Sequence, residues 1–331
     1  MDLLTQGITG ALLAHAAARP TESRLAAAVG FGAGLLADAD ALIRSDSDPL
    51  LYLEYHRHFT HALLFVPVGA LLAALLLWPI LRRRMSFMRL YLFTLLGYSL
   101  SGVLDACTSY GTHLFWPFSD TRVAWSVISI VDPLFTLGLL LALVVALRKR
   151  SARVARLGLL FGCAYLALGL VQHQRAAEVA AELAASRGHA VERGLVKPTL
   201  GNLLLWRSVY ESGGRFHVDA LRVGWFSEAR VFEGTSVERF AHVDALVEAV
   251  PGTRLRNDLR RFDLFSDGYV ARAPGRPGTL GDIRYASLPN GVQPIWGIEI
   301  PDTADEPVRF HLFRELSTET RQQFMAMLFP D

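Results

Sequence analysis

The sequence predicts an α-helical polytopic membrane domain of about six helices followed by a soluble α+β domain. Three observations predict it. Hydrophobic residues make up 52% of the 331 residues, and the mean hydropathy is +0.30. Long apolar runs are confined to the chain before residue 172, and the run 62–81 is long enough to cross a bilayer as a helix. After Val171 the runs give way to short alternating segments broken by Gly, Pro and Asn. The boundary is therefore set there, with residues 1–171 as the helical domain and 172–331 as the α+β domain.

The first two segments, 3–18 and 25–37, are rich in Ala and Gly. They read as close-packed spans, with a surface or bundle helix pair as the alternative. Residues 62–81 carry no charge and are long enough to cross a bilayer alone. Residues 90–104, 133–147 and 157–171 are shorter. They need snorkelling Arg side chains or a thinner bilayer. Asp132 before Pro133 reads first as a helix N-cap with proline at the opening position, and second as a ligand.

Basic residues set the orientation. Arg19 and Arg24, then Arg82, Arg83 and Arg84, then Arg148, Lys149, Arg150, Arg153 and Arg156 lie in alternate connections. Those connections are cytoplasmic by the positive-inside rule. The other connections, both termini and the C-terminal domain then face outward. Asp2, Asp38, Asp40, His56, His58, His61, Asp105, His113 and Asp132 all fall at that outer face. The start of the chain has an acidic Asp2 and no basic stretch, unlike a cleavable signal peptide.

Beyond Val171, residues 172–188 read as a charged amphipathic helix. Segments 215–224, 262–272, 282–287, 295–300 and 308–313 read as β-rich. Residues 235–250, capped by Thr235 or Ser236, and 318–328 read as helices.

Composition excludes several function classes. A net charge of +2 gives no field suited to nucleic acid. Two dispersed cysteines, Cys107 and Cys163, support neither a disulfide framework nor a thiolate zinc site. Gly-rich phosphate loops, HExxH and GxSxG are absent from the sequence. Transport would call for paired broken helices and charges deep within spans.

What remains is a set of carboxylates and imidazoles at the ends of apolar segments. Asp38 and Asp40 end an apolar helix, where the macrodipole disfavours negative charge. A solvated turn would explain them; so would a metal. His56, His58 and His61 crowd into six residues before a span, at a spacing that leaves one of them spare. They read as zinc-type ligands or as a polar collar. Arg57 beside them and Arg122 further on are candidate anion binders. Asp105 at the outer end of a span is a functional residue by default. Trp116, Phe118 and Trp125 suit the headgroup region. The candidate metal ligands are thus Asp38, Asp40, His56, His61 and Asp105. The candidate catalytic residues are Asp40 or Asp105 as general base, with Arg57 and Arg122 holding an anion. A donor set of carboxylate and imidazole suits zinc, manganese or iron.

At these residues the chain resembles the YdjM-like family of bacterial membrane-bound metal-dependent hydrolases. The resemblance is carried by Met1, Asp2, Thr5, Gln6 and Gly7; Asp38 and Asp40; His56, Arg57, Thr60 and His61; Asp105 through Thr112; Trp116 through Ser119; and Asp132 with Pro133. It covers about residues 1–170, with the pieces in the same order. The family is distantly similar to zinc-dependent phospholipase C. That implies a helical core with a clustered metal site, a divalent metal (zinc foremost), hydrolysis of phosphoester-type bonds, and a bacterial inner-membrane location. Two positions depart from the family pattern: Gln6 and Ser101 stand where histidines are common. The expected function is hydrolysis of a lipid or envelope phosphoester at the outer face of the membrane. The alternative is a catalytically depleted anchor that displays the C-terminal domain.

Overall fold

The computed structural model describes residues 1–240, 254–301, 303, 306–313 and 317–330. Two compact units divide the chain. The first comprises Met1–Ile43, Tyr55–Val171 and Leu200–Asn202. The second comprises Arg44–Glu54, Gln172–Thr199 and Leu203–Asp331.

The first unit is helical: α1 (Leu3–Ala17), α2 (Ser23–Leu36), α4 (Val66–Leu81), α5 (Phe87–Tyr98), α6 (Ser101–Ala106), α7 (Pro133–Lys149) and the start of α8 (Ala152–Ser186), whereas the short α3 (Leu51–Tyr55) falls in the second unit except for its last residue. All six expected apolar segments are helical. Among the described residues, four helical stretches are long and apolar enough to cross a membrane: Ser23–Leu42, Leu63–Leu81, Phe87–Ala106 and Ala152–Ser186. Helix α1 is apolar but shorter. The chain is a multi-pass membrane protein by this measure.

Sequence chemistry accounts for the helix starts. Asp2 caps α1 by accepting the Thr5 N–H at 3.0 Å. Asp132 caps α7 by accepting the Phe135 N–H at 3.1 Å, with Pro133 at the first helical position. The Tyr165 hydroxyl also donates to both Asp132 oxygens at 3.0 Å. Asp132 therefore has the structural role that its sequence context favours.

Helices α1, α2 and α5 cross at three glycines. A Cβ on Gly10 would lie 2.6 Å from the Gly30 carbonyl oxygen and 2.7 Å from that of Gly97. Backbones this close leave no room for a side chain, so the Ala/Gly composition of α1 and α2 serves tight helix packing. The contact draws the start of α1, the end of α2 and the chain following α5 towards one end of the bundle.

The second unit carries two antiparallel sheets. One has β1 (Arg193–Pro198), β2 (Leu205–Ser212), β3 (Arg215–Arg222) and β4 (Arg230–Phe232) in order, with β5 (Ser236–Glu238) also on β3. The C-terminal part of α8 lies on it through Ala176, which is buried with Val196, Trp206 and Leu221. Arg187 at its end grips Asp219 bidentately, at 2.7 and 2.9 Å. The other sheet has β6 (Val270–Arg272), β7 (Thr279–Asp282), β8 (Trp296–Glu299) and β9 (Arg309–Leu312). Helices α9 (Arg254–Phe265) and α10 (Thr318–Leu328) complete the unit.

Strands β3, β8 and β9 and helix α10 fall where expected. Residues 262–272 do not form one β-rich segment, because α9 runs to Phe265 before β6 begins. Leu255, Leu259 and Phe262 recur at helical spacing and are buried together, and that period overrides local β propensity. The expected helix over 235–250 opens instead with strand β5, and its residues 241–250 lie outside the described residues. Residues 44–54 belong to the second unit. Leu50 and Leu53 are buried with Leu255, Leu259, Phe262 and Ile298. Arg261 binds Asp48 at 2.9 Å and Glu54 at 2.7 Å.

Candidate metal centre

Helix α2 tightens into a 3-10 turn over Ala37–Leu42, which carries Asp38 and Asp40. Asp40 is 2% exposed. A buried carboxylate needs a full set of donors. The backbone N–H of Arg57 donates to Asp40 Oδ2 at 2.8 Å, and the Thr60 hydroxyl to the same oxygen at 2.5 Å. His56 Nδ1 lies 3.0 Å from Asp40 Oδ1. Arg57 adopts φ 60° to aim its amide there, a left-handed conformation that is costly for a side chain of its size.

His61 ends the short 3-10 turn Phe59–His61 and is 1% exposed. Its Nε2 is 2.9 Å from Asp105 Oδ2 and 3.4 Å from Asp38 Oδ1, and its Nδ1 is 3.3 Å from Asp40 Oδ2. Burial opposes a charge on this ring. The contacts with Asp105, Asp38 and Asp40 outweigh burial and push the pKa up to about 10. Without a metal, the ring is therefore an imidazolium among three carboxylates.

Asp105 is wholly buried on α6. Gln6 Nε2 donates to its Oδ2 at 3.2 Å, while Oδ1 faces the Met1 ammonium and Arg57 Nη1, the latter at 3.3 Å. Gly102, one helical turn before Asp105, abuts the His61 carbonyl oxygen; a Cβ there would collide with it. The approach of His61 to α6 depends on that glycine.

The structure thus brings Asp38, Asp40, His56, His61 and Asp105 together. Two sets of possible ligand atoms lie within 4.8 Å of one another: Asp38, His61 and Asp105, and Asp38, Asp40 and His56. Asp38 Oδ2 is buried without a hydrogen-bond partner among the described residues. A buried cluster of oxygen and imidazole-nitrogen donors with an unsatisfied carboxylate oxygen fits a divalent metal.

The remaining candidates lie beside the cluster. Arg57 is buried. Its guanidinium donates to Thr108 Oγ1 at 3.3 Å and to the Met1 carbonyl at 3.1 Å. Arg57 and Arg122 each lie 5.0 Å from the Tyr110 ring centroid, and His56 packs on the same ring at 5.7 Å. His58 packs against His113 in a tilted contact and edge-on against Trp116, with ring centroids 4.5 and 5.7 Å apart. It is the histidine that the spacing left over. Burial, with Arg122 and His58 adding to it, pushes His113 down to about 4, so that ring is neutral at pH 7. Ser101 Oγ donates to the Gly34 carbonyl at 3.3 Å. Residue-by-residue reading gave no role to Thr60 or Tyr98. The Tyr98 hydroxyl donates to the Thr60 carbonyl at 2.7 Å and so holds the segment that carries His61. The sequence signal for Thr60 is its place in the His56–His61 motif that carries the family resemblance.

Among curated proteins, the chain is similar to the uncharacterized protein YfhP of Bacillus subtilis (strain 168). The two are 29% identical over 108 residues, which is 33% of this chain and 32% of that protein. The matched part therefore spans about a third of the relative's length. No solved structure matches the chain. Residues 1–176, which include every residue of the cluster, match the family described as YdjM inner membrane protein. With more than half of its length matched, the chain belongs to the YdjM inner membrane protein family.

Proposed function

We propose that this protein is a metal-dependent hydrolase. It would cleave a phosphoester, or a related ester, of a lipid or envelope substrate at the outer face of the inner membrane. The convergence of Asp38, Asp40, His56, His61 and Asp105 carries this reading. These residues are scattered over 68 positions of sequence and meet among helices long enough to span a bilayer. Zinc suits the donor set best, with manganese and iron also compatible. When bound, such an ion supplies Lewis acidity and an acidified water at neutral pH. Asp40 or Asp105 would serve as the general base for an attacking water. Arg57 and Arg122, on the shared Tyr110 ring, supply positive charge for a phosphoryl oxygen. Basic connections at the opposite ends of the helices favour an outward-facing cluster and an extracytoplasmic C-terminal unit.

The test uses the full chain in proteoliposomes that contain a headgroup-labelled phospholipid. The reading expects headgroup release that EDTA abolishes and zinc restores, and that His61→Ala and Asp105→Asn remove. A chain that binds metal but leaves phospholipids and soluble phosphodiesters intact would instead favour the anchor reading. Ser101 and Gln6 support that second reading, since a hydroxyl bonded to Gly34 and an amide stand where imidazoles would strengthen the site.

A further inference from the structure

Phe226 is the most exposed large hydrophobic side chain among the described residues, and Trp225 beside it is 41% exposed. Both belong to the second unit and lie outside residues 1–176, which match the family. We propose that these two rings form a lipid-docking tip, seated at the headgroup level of the same bilayer that α8 crosses. The partner is a phospholipid surface. The inference is independent of the metal reading and of which side of the membrane the unit faces.

Helix α8 serves as the ruler. Between Arg156 and Arg175, residues 157–174 carry no charge. At 1.5 Å per residue they span about 27 Å, close to the ~30 Å of a bilayer's hydrocarbon core. Leu168, Leu170 and Val171 are exposed and apolar at the end of this stretch, as lipid-facing side chains are. The helix turns polar at Gln172, His173 and Gln174, which places its exit from the hydrocarbon there.

The second unit is fastened to that exit. Gln172 is buried, and its Nε2 donates to the Val223 carbonyl at 2.8 Å and to the Leu203 carbonyl at 3.1 Å. His173 Nε2 lies 3.1 Å from the Val196 carbonyl. A second clamp, Arg187 on Asp219, sits at the far end of the helix. It is about 22 Å further along the axis than Gln172, at 1.5 Å per residue. Asp219 comes before Val223 in the chain, so β3 runs antiparallel to α8 and back towards the membrane exit. Trp225 and Phe226 follow Val223 directly. At about 3.3 Å per residue they lie within roughly 10 Å of the Gln172 clamp, a distance comparable to the depth of a headgroup layer.

The loop itself is built to project these rings. Gly224 closes against the Ser227 hydroxyl, where a Cβ would collide, so Trp225 and Phe226 form the tip of a tight turn. Arg222 and Arg230 face each other across its neck in the β3–β4 register. Like charges directly opposite repel, and Glu228 is the single acidic residue between them in the sequence. Phosphate groups of lipids offset that repulsion. Aromatic rings flanked by guanidinium groups suit a membrane–water boundary, where the rings leave water and the charges stay in it.

The test uses the full chain in liposomes of phosphatidylcholine and phosphatidylglycerol. A nitroxide is attached at Ser227→Cys in a Cys163→Ser background; Cys107 is buried and stays unlabelled. A reference label at Ser186→Cys marks the end of α8 beyond the outer clamp. Power-saturation EPR compares collisions with oxygen, which concentrates in lipid, and with a water-soluble nickel chelate. Oxygen should dominate at 227 and nickel at 186. Ala229→Cys repeats the measurement on the other arm of the loop. Trp225→Ser/Phe226→Ser, which removes only exposed rings, should return the 227 label to nickel. Labels at 227 and 229 as open to nickel as the one at 186 overturn the proposal. Shielding from both reagents with dipolar broadening between labels means that a second copy covers the tip, and overturns it too.

Discussion

His61 is the residue on which the site turns, because three carboxylates converge on one buried ring. In the metal-free protein its pKa is about 10, well above the ~6.5 of an unfolded histidine. The folded state therefore binds more protons than the unfolded state between those values. The resulting stabilisation is complete below about pH 6.5 and is lost as pH rises towards 10. The melting temperature of the metal-free wild type should exceed that of His61→Gln near neutrality, by a margin that shrinks up to pH 10. A margin that does not change over that range would contradict this account. Gln6 offers a second prediction. An amide oxygen is a weak ligand and an imidazole a good one, so Gln6→His should tighten zinc binding by roughly tenfold or more in a chromophore competition assay. The charged members of the cluster were legible in the sequence because ionisable groups beside apolar runs need a reason to be there. Thr60 and Gly102 carry no charge and gave no such signal, although one donates to Asp40 and the other admits His61.

Elements place these residues, and two of them make predictions. Gly102→Val on α6 should push His61 away from Asp105 and abolish metal binding. Hydrogen-exchange protection of β7 and β8 should stay unchanged, because that sheet lies in the other unit. The second case is the segment 44–54. Its ends lead to Asp40 and His56, yet its middle is built into the C-terminal unit through Leu50, Leu53 and the Arg261 ion pairs. Leu50→Ala should destabilise that unit by about 2–5 kcal/mol, the usual cost of a cavity in a well-packed core, as read by denaturant unfolding. This membership was not legible in the sequence. Local pattern reports the period of a segment but not its distant partner. Only the end of helix α9, Phe262–Phe265, falls in a segment whose composition suits a strand, whereas the spacing of Leu255, Leu259 and Phe262 is helical.

At the scale of the molecule, the sequence announced a helical membrane region followed by an α+β region, because hydropathy and turn chemistry both change near Val171. The pairing of the nine strands among the described residues into two sheets was not visible in it, since register depends on contacts between distant segments. Belonging to the YdjM inner membrane protein family places the helical region in a bilayer. That region also carries a buried Asp/His cluster that could hold a metal ion. Zinc K-edge X-ray absorption on the purified full chain tests this most directly. Our account predicts a first shell of oxygen and nitrogen at about 2.0–2.2 Å with outer-shell imidazole scattering, lost in His56→Ala/His61→Ala. A sulfur shell at about 2.3 Å, or zinc binding that survives loss of both histidines, would contradict it.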